Sequence, residues 1–158
     1  MDGVRLTEIV EKMNLKNLTP EVDITEREVL VPDVNRPALQ LAGFFDHFDL
    51  NRVQIIGNVE CAYLETLTEE RRLEIYQKLL EHKVPCIIFS NELQPDESFL
   101  ELAEKNDIPV FGTCKKTSSF MGELIRWLNV KLAPCISIHG VLVDVYLSLI
   151  HISEPTRR

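Results

Sequence analysis

Cys86-Ile87-Ile88-Phe89 is an unbroken apolar run between Pro85 and Ser90. A strand of that composition belongs in a sheet covered on both faces, so it demands a layer of structure above and below it. Val53-Gln54-Ile55-Ile56, ending at Gly57, and Pro109-Val110-Phe111, ending at Gly112, have the same character. Each run leads into a stretch of helical periodicity. After the first, Leu73, Tyr76, Leu79 and Leu80 line one face of a helix over 69–82 behind the cap Thr68, with Glu69 and Glu70 suited to the positive end of its dipole. Residues 60–66 add a shorter helix before it. After the second, Pro95 and Asp96 open a helix over 96–106 that turns Phe99, Leu100, Leu102 and Ala103 inward. After the third, Phe120, Leu124, Leu128 and Leu132 form a stripe along a helix over 118–132. Strands alternating with helices predict an α/β fold, a mostly parallel sheet flanked by helices.

The N-terminal third is less regular. Leu6, Ile9, Val10 and Met13 recur at helical spacing and predict a helix over 5–14. Asn14 to Pro20 is rich in turn formers, and Glu28 to Val31 reads as a short strand stopped by Pro32. Pro37 suits the first position of a short helix and Gly43 its end. Phe44, Phe45 and Phe48 follow, and they are expected to bury a large apolar area; the competing reading is a binding surface built from Asn35, Arg36 and these aromatics.

With 158 residues the chain has enough length for a core of its own. Its net charge of −8 argues against nucleic acid as a partner, since that class of protein carries a basic face. No apolar run approaches the roughly 20 residues that span a bilayer, so no membrane partner is expected either. The N-terminus lacks a cationic-then-apolar leader pattern, which points to the cytoplasm. Cys61, Cys86, Cys114 and Cys135 contain no Cys-x-x-Cys pair, against a zinc site, and Cys86 reads as a small buried hydrophobe.

In parallel α/β sheets ligands bind beyond the carboxyl ends of the strands. Those ends are Gly57-Asn58, Ser90-Asn91 and Gly112-Thr113. The last continues as Cys114-Lys115-Lys116-Thr117-Ser118-Ser119 into a helix, which suits either an anion site or an N-cap at Thr117 or Ser118 flanked by two solvated lysines. Val141 to Tyr146, bounded by Gly140, reads as a further strand, and His139 stands just before it. An imidazole titrates near neutrality and suits acid–base and phosphate chemistry, although a single His beside an apolar strand also serves as a structural group. A phosphate loop of the Gly-x-x-x-x-Gly-Lys type needs a glycine directly before a lysine, and none of the six glycines is followed by one.

Four segments taken together carry a resemblance. They are Arg36-Pro37 to Gly43 with Phe44 following, Arg52-Val53-Gln54-Ile55-Ile56-Gly57, Ile108-Pro109-Val110, and Leu132-Ala133-Pro134 with His139-Gly140-Val141-Leu142-Val143-Asp144-Val145-Tyr146. Over residues 5–146 the chain resembles HPr kinase/phosphorylase. The resemblance implies a bifunctional bacterial enzyme of carbon catabolite regulation, homohexameric and cytoplasmic. Such an enzyme phosphorylates a serine of the phosphocarrier protein HPr using ATP or pyrophosphate with Mg²⁺, and removes that phosphate by phosphorolysis. It also implies an N-terminal domain resembling that of Mur ligases.

Only His139 matches a residue of the family's active site; the phosphate loop, the metal-binding serine and the general base would lie beyond Tyr146. The expected organisation is an N-terminal α/β domain over 1–132, a linker and first kinase-domain strand over 133–146, and an artefactual tail outside the family over 147–158. No cofactor is expected for this chain alone, and it is expected to be inactive. The alternative is a non-catalytic regulatory or small-ligand-binding α/β module.

Overall fold

A computed structural model of the chain describes residues 3–133. Its elements are β1 (Val4–Arg5), α1 (Leu6–Met13), β2 (Lys16–Asn17), β3 (Glu28–Val29), β4 (Val34–Asn35), α2 (Ala38–Leu41), β5 (Val53–Ile56), α3 (Asn58–Glu65), α4 (Glu69–Glu81), β6 (Ile87–Phe89), α5 (Glu97–Lys105), β7 (Val110–Gly112) and α6 (Thr117–Leu132). The main sheet has the order β2-β7-β6-β5-β4. β4 to β7 are parallel, with Gln54 opposite Ile87 and Ile87 opposite Val110. The three strands expected from the apolar runs therefore lie side by side in one mostly parallel sheet flanked by helices, and the α/β class holds.

The strand order explains where the helices go. From β4 to β7 the chain adds each strand beside the last. Right-handed crossovers stepping in one direction leave every connecting helix on the same face. Leu41 of α2, Leu64 of α3, Leu79 and Leu80 of α4, and Phe99 and Ala103 of α5 accordingly share one core with Ile56, Ile87, Phe89 and Val110. The opposite face falls to helices from the two ends of the described chain. Leu6, Ile9 and Met13 of α1 and Phe120, Leu124 and Leu128 of α6 pack there against Val53, Ile55, Cys86, Ile88 and Phe111. Neighbours such as Ile55 and Ile56 serve different cores because the pleat points successive side chains to opposite faces.

Several expectations need correction. The turn-rich Asn14–Pro20 stretch contains β2, an antiparallel edge strand on β7 with Lys16 opposite Gly112. Thr19 fastens it: its hydroxyl accepts from the Val110 amide at 2.9 Å, and the Leu18 amide donates to the Val110 carbonyl at 2.9 Å. β1 and β3 form a separate two-stranded antiparallel sheet. α2 covers only Ala38–Leu41 and stops where Gly43 takes φ +101°. Of the aromatics behind it, Phe45 and Phe48 are half-buried against the core, whereas Phe44 is not buried. Phe44 is 48% exposed, while Phe45 stacks on His82 at 4.7 Å and Phe48 meets the same ring edge-on at 5.2 Å. Among the described residues no helix is long and apolar enough to cross a membrane. His139, the strand over 141–146, the linker beyond Ala133 and the tail over 147–158 lie outside the described residues.

Candidate functional site at the carboxyl edge of the sheet

β4, β5, β6 and β7 all end at one edge, and polar residues that follow each of the first three converge with the start of α6. Arg36 follows β4, Gly57 follows β5, and Ser90 and Asn91 follow β6. Glu60, in the first turn of α3, is the buried centre of one half of the cluster, at 3% exposure. A single carboxylate oxygen of Glu60 accepts from the Gly57 amide and from the Arg36 guanidinium, each at 2.7 Å. The first contact satisfies an amide that the start of α3 would otherwise leave unpaired, which is why that helix begins two residues earlier than the periodicity suggests. The second neutralises a carboxylate that burial would make costly. Arg36 Nε is buried without a partner.

The other half is a chain of hydroxyls. Asn91 Nδ2 donates to Thr117 Oγ1 at 3.0 Å, Thr117 Oγ1 and Ser90 Oγ lie 2.5 Å apart, and Ser90 Oγ donates to the Ile56 carbonyl at 3.4 Å. With one proton per hydroxyl, the consistent direction runs from Asn91 through Thr117 and Ser90 to Ile56. Gly57 joins the halves. A Cβ built there would lie 2.6 Å from Thr117 Oγ1 and 3.0 Å from the Arg36 guanidinium, so the β5–α3 turn and the start of α6 touch through the missing side chain. Asn91 and Glu92 both hold left-handed backbone, φ +58° and +57°. Their amides are fixed by the Lys115 and Thr113 carbonyls at 2.8 and 2.9 Å.

This arrangement revises the reading of residues 112–119. Thr117 is the first residue of α6 and its hydroxyl is spent on Ser90 and Asn91, so neither it nor Ser118 caps the helix. Lys115 is not free in solvent but bonds Glu123 at 2.7 Å, and that hydrogen bond holds the Glu123 carboxyl below its ordinary range. Asn35 donates to the amide oxygen of Gln54, its register partner in β5, at 2.7 Å and to that of Gln40 at 3.3 Å, instead of joining an aromatic surface. Sequence reasoning missed Glu60, Gln54 and Gln40. Their signal was a polar residue at a position that the strand or helix pattern assigns to the interior.

Beside the cluster, between α3, α4 and α5, lies a small cavity. Leu64, Phe89 and Phe99 form its floor, and Cys61, Glu65, Arg72, Tyr76 and Asp96 its walls. Tyr76 donates to Asp96 at 2.5 Å, and Arg72 Nε lies 3.6 Å from the same carboxylate oxygen. Asp96 is the residue just before α5, and its carbonyl accepts from the Phe99 and Leu100 amides, yet its carboxylate accepts no bond from that helix. Burial, then the bond to Asp96, pushes the Tyr76 phenol above its ordinary value. Burial, reinforced by Glu60, Glu65 and Asp96, pushes the Cys61 thiol up to about 11. Among the described residues no group of three His, Cys, Asp or Glu side chains is placed to hold a metal. His139, the catalytic residue carried over by resemblance, lies outside the described residues.

Comparison with known proteins gives this edge a context. Residues 4–128 match the family model described as HPr Serine kinase N terminus. An HPr kinase/phosphorylase from Lachnoclostridium phytofermentans is 58% identical over 146 residues, covering 92% of this chain and 47% of that protein. One from Caldicellulosiruptor bescii is 44% identical over 138 residues, covering 87% of this chain and 44% of that protein. The chain thus spans about half the length of the curated relatives it matches. A crystal structure of the CBS and DRTGG domains of the regulatory region of Clostridium perfringens pyrophosphatase, complexed with the activator diadenosine tetraphosphate, shares the fold. Its TM-score is 0.59 at 19% identity, covering 97% of this chain and 64% of that one.

Proposed function

The chain belongs to the HPr serine kinase N-terminal family, and from that premise we propose that it is the N-terminal portion of a bifunctional HPr kinase/phosphorylase. The observation that carries this is the 58% identity to the Lachnoclostridium protein, held over 146 residues. In this reading the whole protein phosphorylates a serine of HPr with ATP or pyrophosphate and Mg²⁺, and reverses the step by phosphorolysis. It acts in the cytoplasm as a homo-oligomer, a hexamer, in bacterial carbon catabolite control. Residues 1–132 form the N-terminal domain, 133–146 lead into the kinase domain, and 147–158 stand outside the family pattern.

Residues 1–158 by themselves do not transfer phosphate. No glycine is followed by a lysine anywhere in the sequence. Phosphoryl transfer depends on a loop of backbone amides, a lysine and a metal to hold and neutralise the phosphates. His139 orients a phosphate at most, because removing one transition-state donor alone costs about 3–4 kcal/mol. The free-standing ligand-binding reading is less favoured, since the curated relatives carry the kinase name. The test is transfer of labelled phosphate from ATP to HPr with Mg²⁺. This chain is compared with one extended by the remaining half of its relatives' length. The extended chain is expected to turn over and the short one to match its His139→Ala variant. An inactive extended chain, or a short chain more active than that variant, would overturn the reading.

A further inference from the structure

The kinase reading has no use for the cavity between α3, α4 and α5. We propose that it takes a small aliphatic ammonium ion, a primary amine on three or four carbons. Its volume is about 100 Å³, smaller than the roughly 150 Å³ of an apolar cavity that holds benzene. That excludes a nucleotide or a sugar and fits a short alkyl chain. The floor of Leu64, Phe89 and Phe99 is buried and apolar, and it suits the chain's carbons.

The polar side fixes the sign of the charge. Arg72 is the sole cation among the lining residues, and the protein occupies it: Nε faces Asp96 at 3.6 Å, and Nη1 donates to the Leu64 and Leu67 carbonyls at 3.4 Å. Arg72 and Asp96 therefore compensate each other. Glu65 remains, an exposed carboxylate lining the cavity with no ion-pair or hydrogen-bond partner among the described residues. The Tyr76 oxygen gives its proton to Asp96 and keeps lone pairs to accept with. An ammonium supplies three donors to these acceptors. A carboxylate or phosphate would meet an uncompensated negative charge.

The test is a heteronuclear NMR titration of the full chain with n-propylammonium chloride, alongside propan-1-ol as the neutral isostere and propionate as the anion. Saturable shifts are expected at the amides of Cys61, Phe89 and Leu93 with the ammonium. Propanol should bind about tenfold more weakly, the loss of one charge-assisted hydrogen bond, and propionate should not saturate. Glu65→Gln, on an exposed side chain, should weaken the ammonium by about tenfold while the rest of the spectrum stays in place. Cys61→Met should fill the cavity and abolish binding. Absence of saturable shifts, propionate or propanol binding as tightly as the ammonium, or an unchanged affinity in Glu65→Gln would each overturn the proposal.

Discussion

Gly57→Ala isolates the contact on which the carboxyl edge closes. Gly57 has φ −117° and ψ −163°, an extended conformation open to any residue, so alanine meets no backbone penalty there. The cost is steric. The new methyl would lie 2.6 Å from Thr117 Oγ1 and 3.3 Å from Thr117 Cγ2. The Arg36 guanidinium, at 3.0 Å, ends a flexible side chain and yields; Thr117 is β-branched, anchored in the first turn of α6, and does not. Overpacking of this kind costs about 1–3 kcal/mol. Displacing the Thr117 hydroxyl also strains its contacts with Ser90 and Asn91, each worth about 1 kcal/mol. The expected loss is about 3 kcal/mol, which at a urea m-value of about 2 kcal/mol/M lowers the unfolding midpoint by about 1.5 M. The decisive measurement is a double-mutant cycle with Thr117→Ala, which removes both clashing atoms. In that background Gly57→Ala should cost under about 1 kcal/mol, a coupling of about 2 kcal/mol. An equal cost in both backgrounds would show that Gly57 is needed for some reason other than this approach.

Tyr76→Phe should lower stability by only about 1 kcal/mol, since the lost bond to Asp96 frees that carboxylate to cap α5; a calorimetric loss beyond about 3 kcal/mol would contradict this. Alkylation at pH 8, followed by peptide mapping, should label exposed Cys114 before Cys61 and Cys86, the other cysteines among the described residues. Cys61, pushed up to about 11, is thiolate in only about one molecule per thousand at that pH, and Cys86, buried and pushed up to about 12, should react only on unfolding; early labelling of Cys86 would refute its burial. Glu123 is held below its ordinary pKa by the bond from Lys115. Whatever stability this brings is present above the unfolded value of about 4.3 and is lost as pH falls through the lower folded value. Lys115→Met should therefore return the Glu123 midpoint toward the ordinary value in a carboxyl NMR titration, and an unmoved midpoint would mean that the pair does not form in solution.

The sequence alone determined the class of fold, because the signal was redundant. Ile87-Ile88-Phe89 has no polar side to show solvent, and α4, α5 and α6 each carry an apolar face at the right spacing, so the layers follow from burial. The four segments from Arg36 to Tyr146 likewise pointed to the family without reference to shape. Tertiary structure decided what local pattern does not encode. β1 and β2 are two residues each, too short for periodicity, and exist only because Val29 and Phe111 offer edges to pair with. The site was half legible. Gly57, Ser90 and Asn91 were placed at strand ends by position and Thr117 at the start of α6, whereas Glu60, one turn before Leu64 on the buried side of α3, gains its role only when Arg36, distant in sequence, arrives beside it. Asp96 opens α5 as its position predicts, but its carboxylate turns to Tyr76 and Arg72 instead of to the helix's own amides. A hydroxyl or carboxylate chooses its partner by distance in space, and only the packed sheet brings those partners within reach.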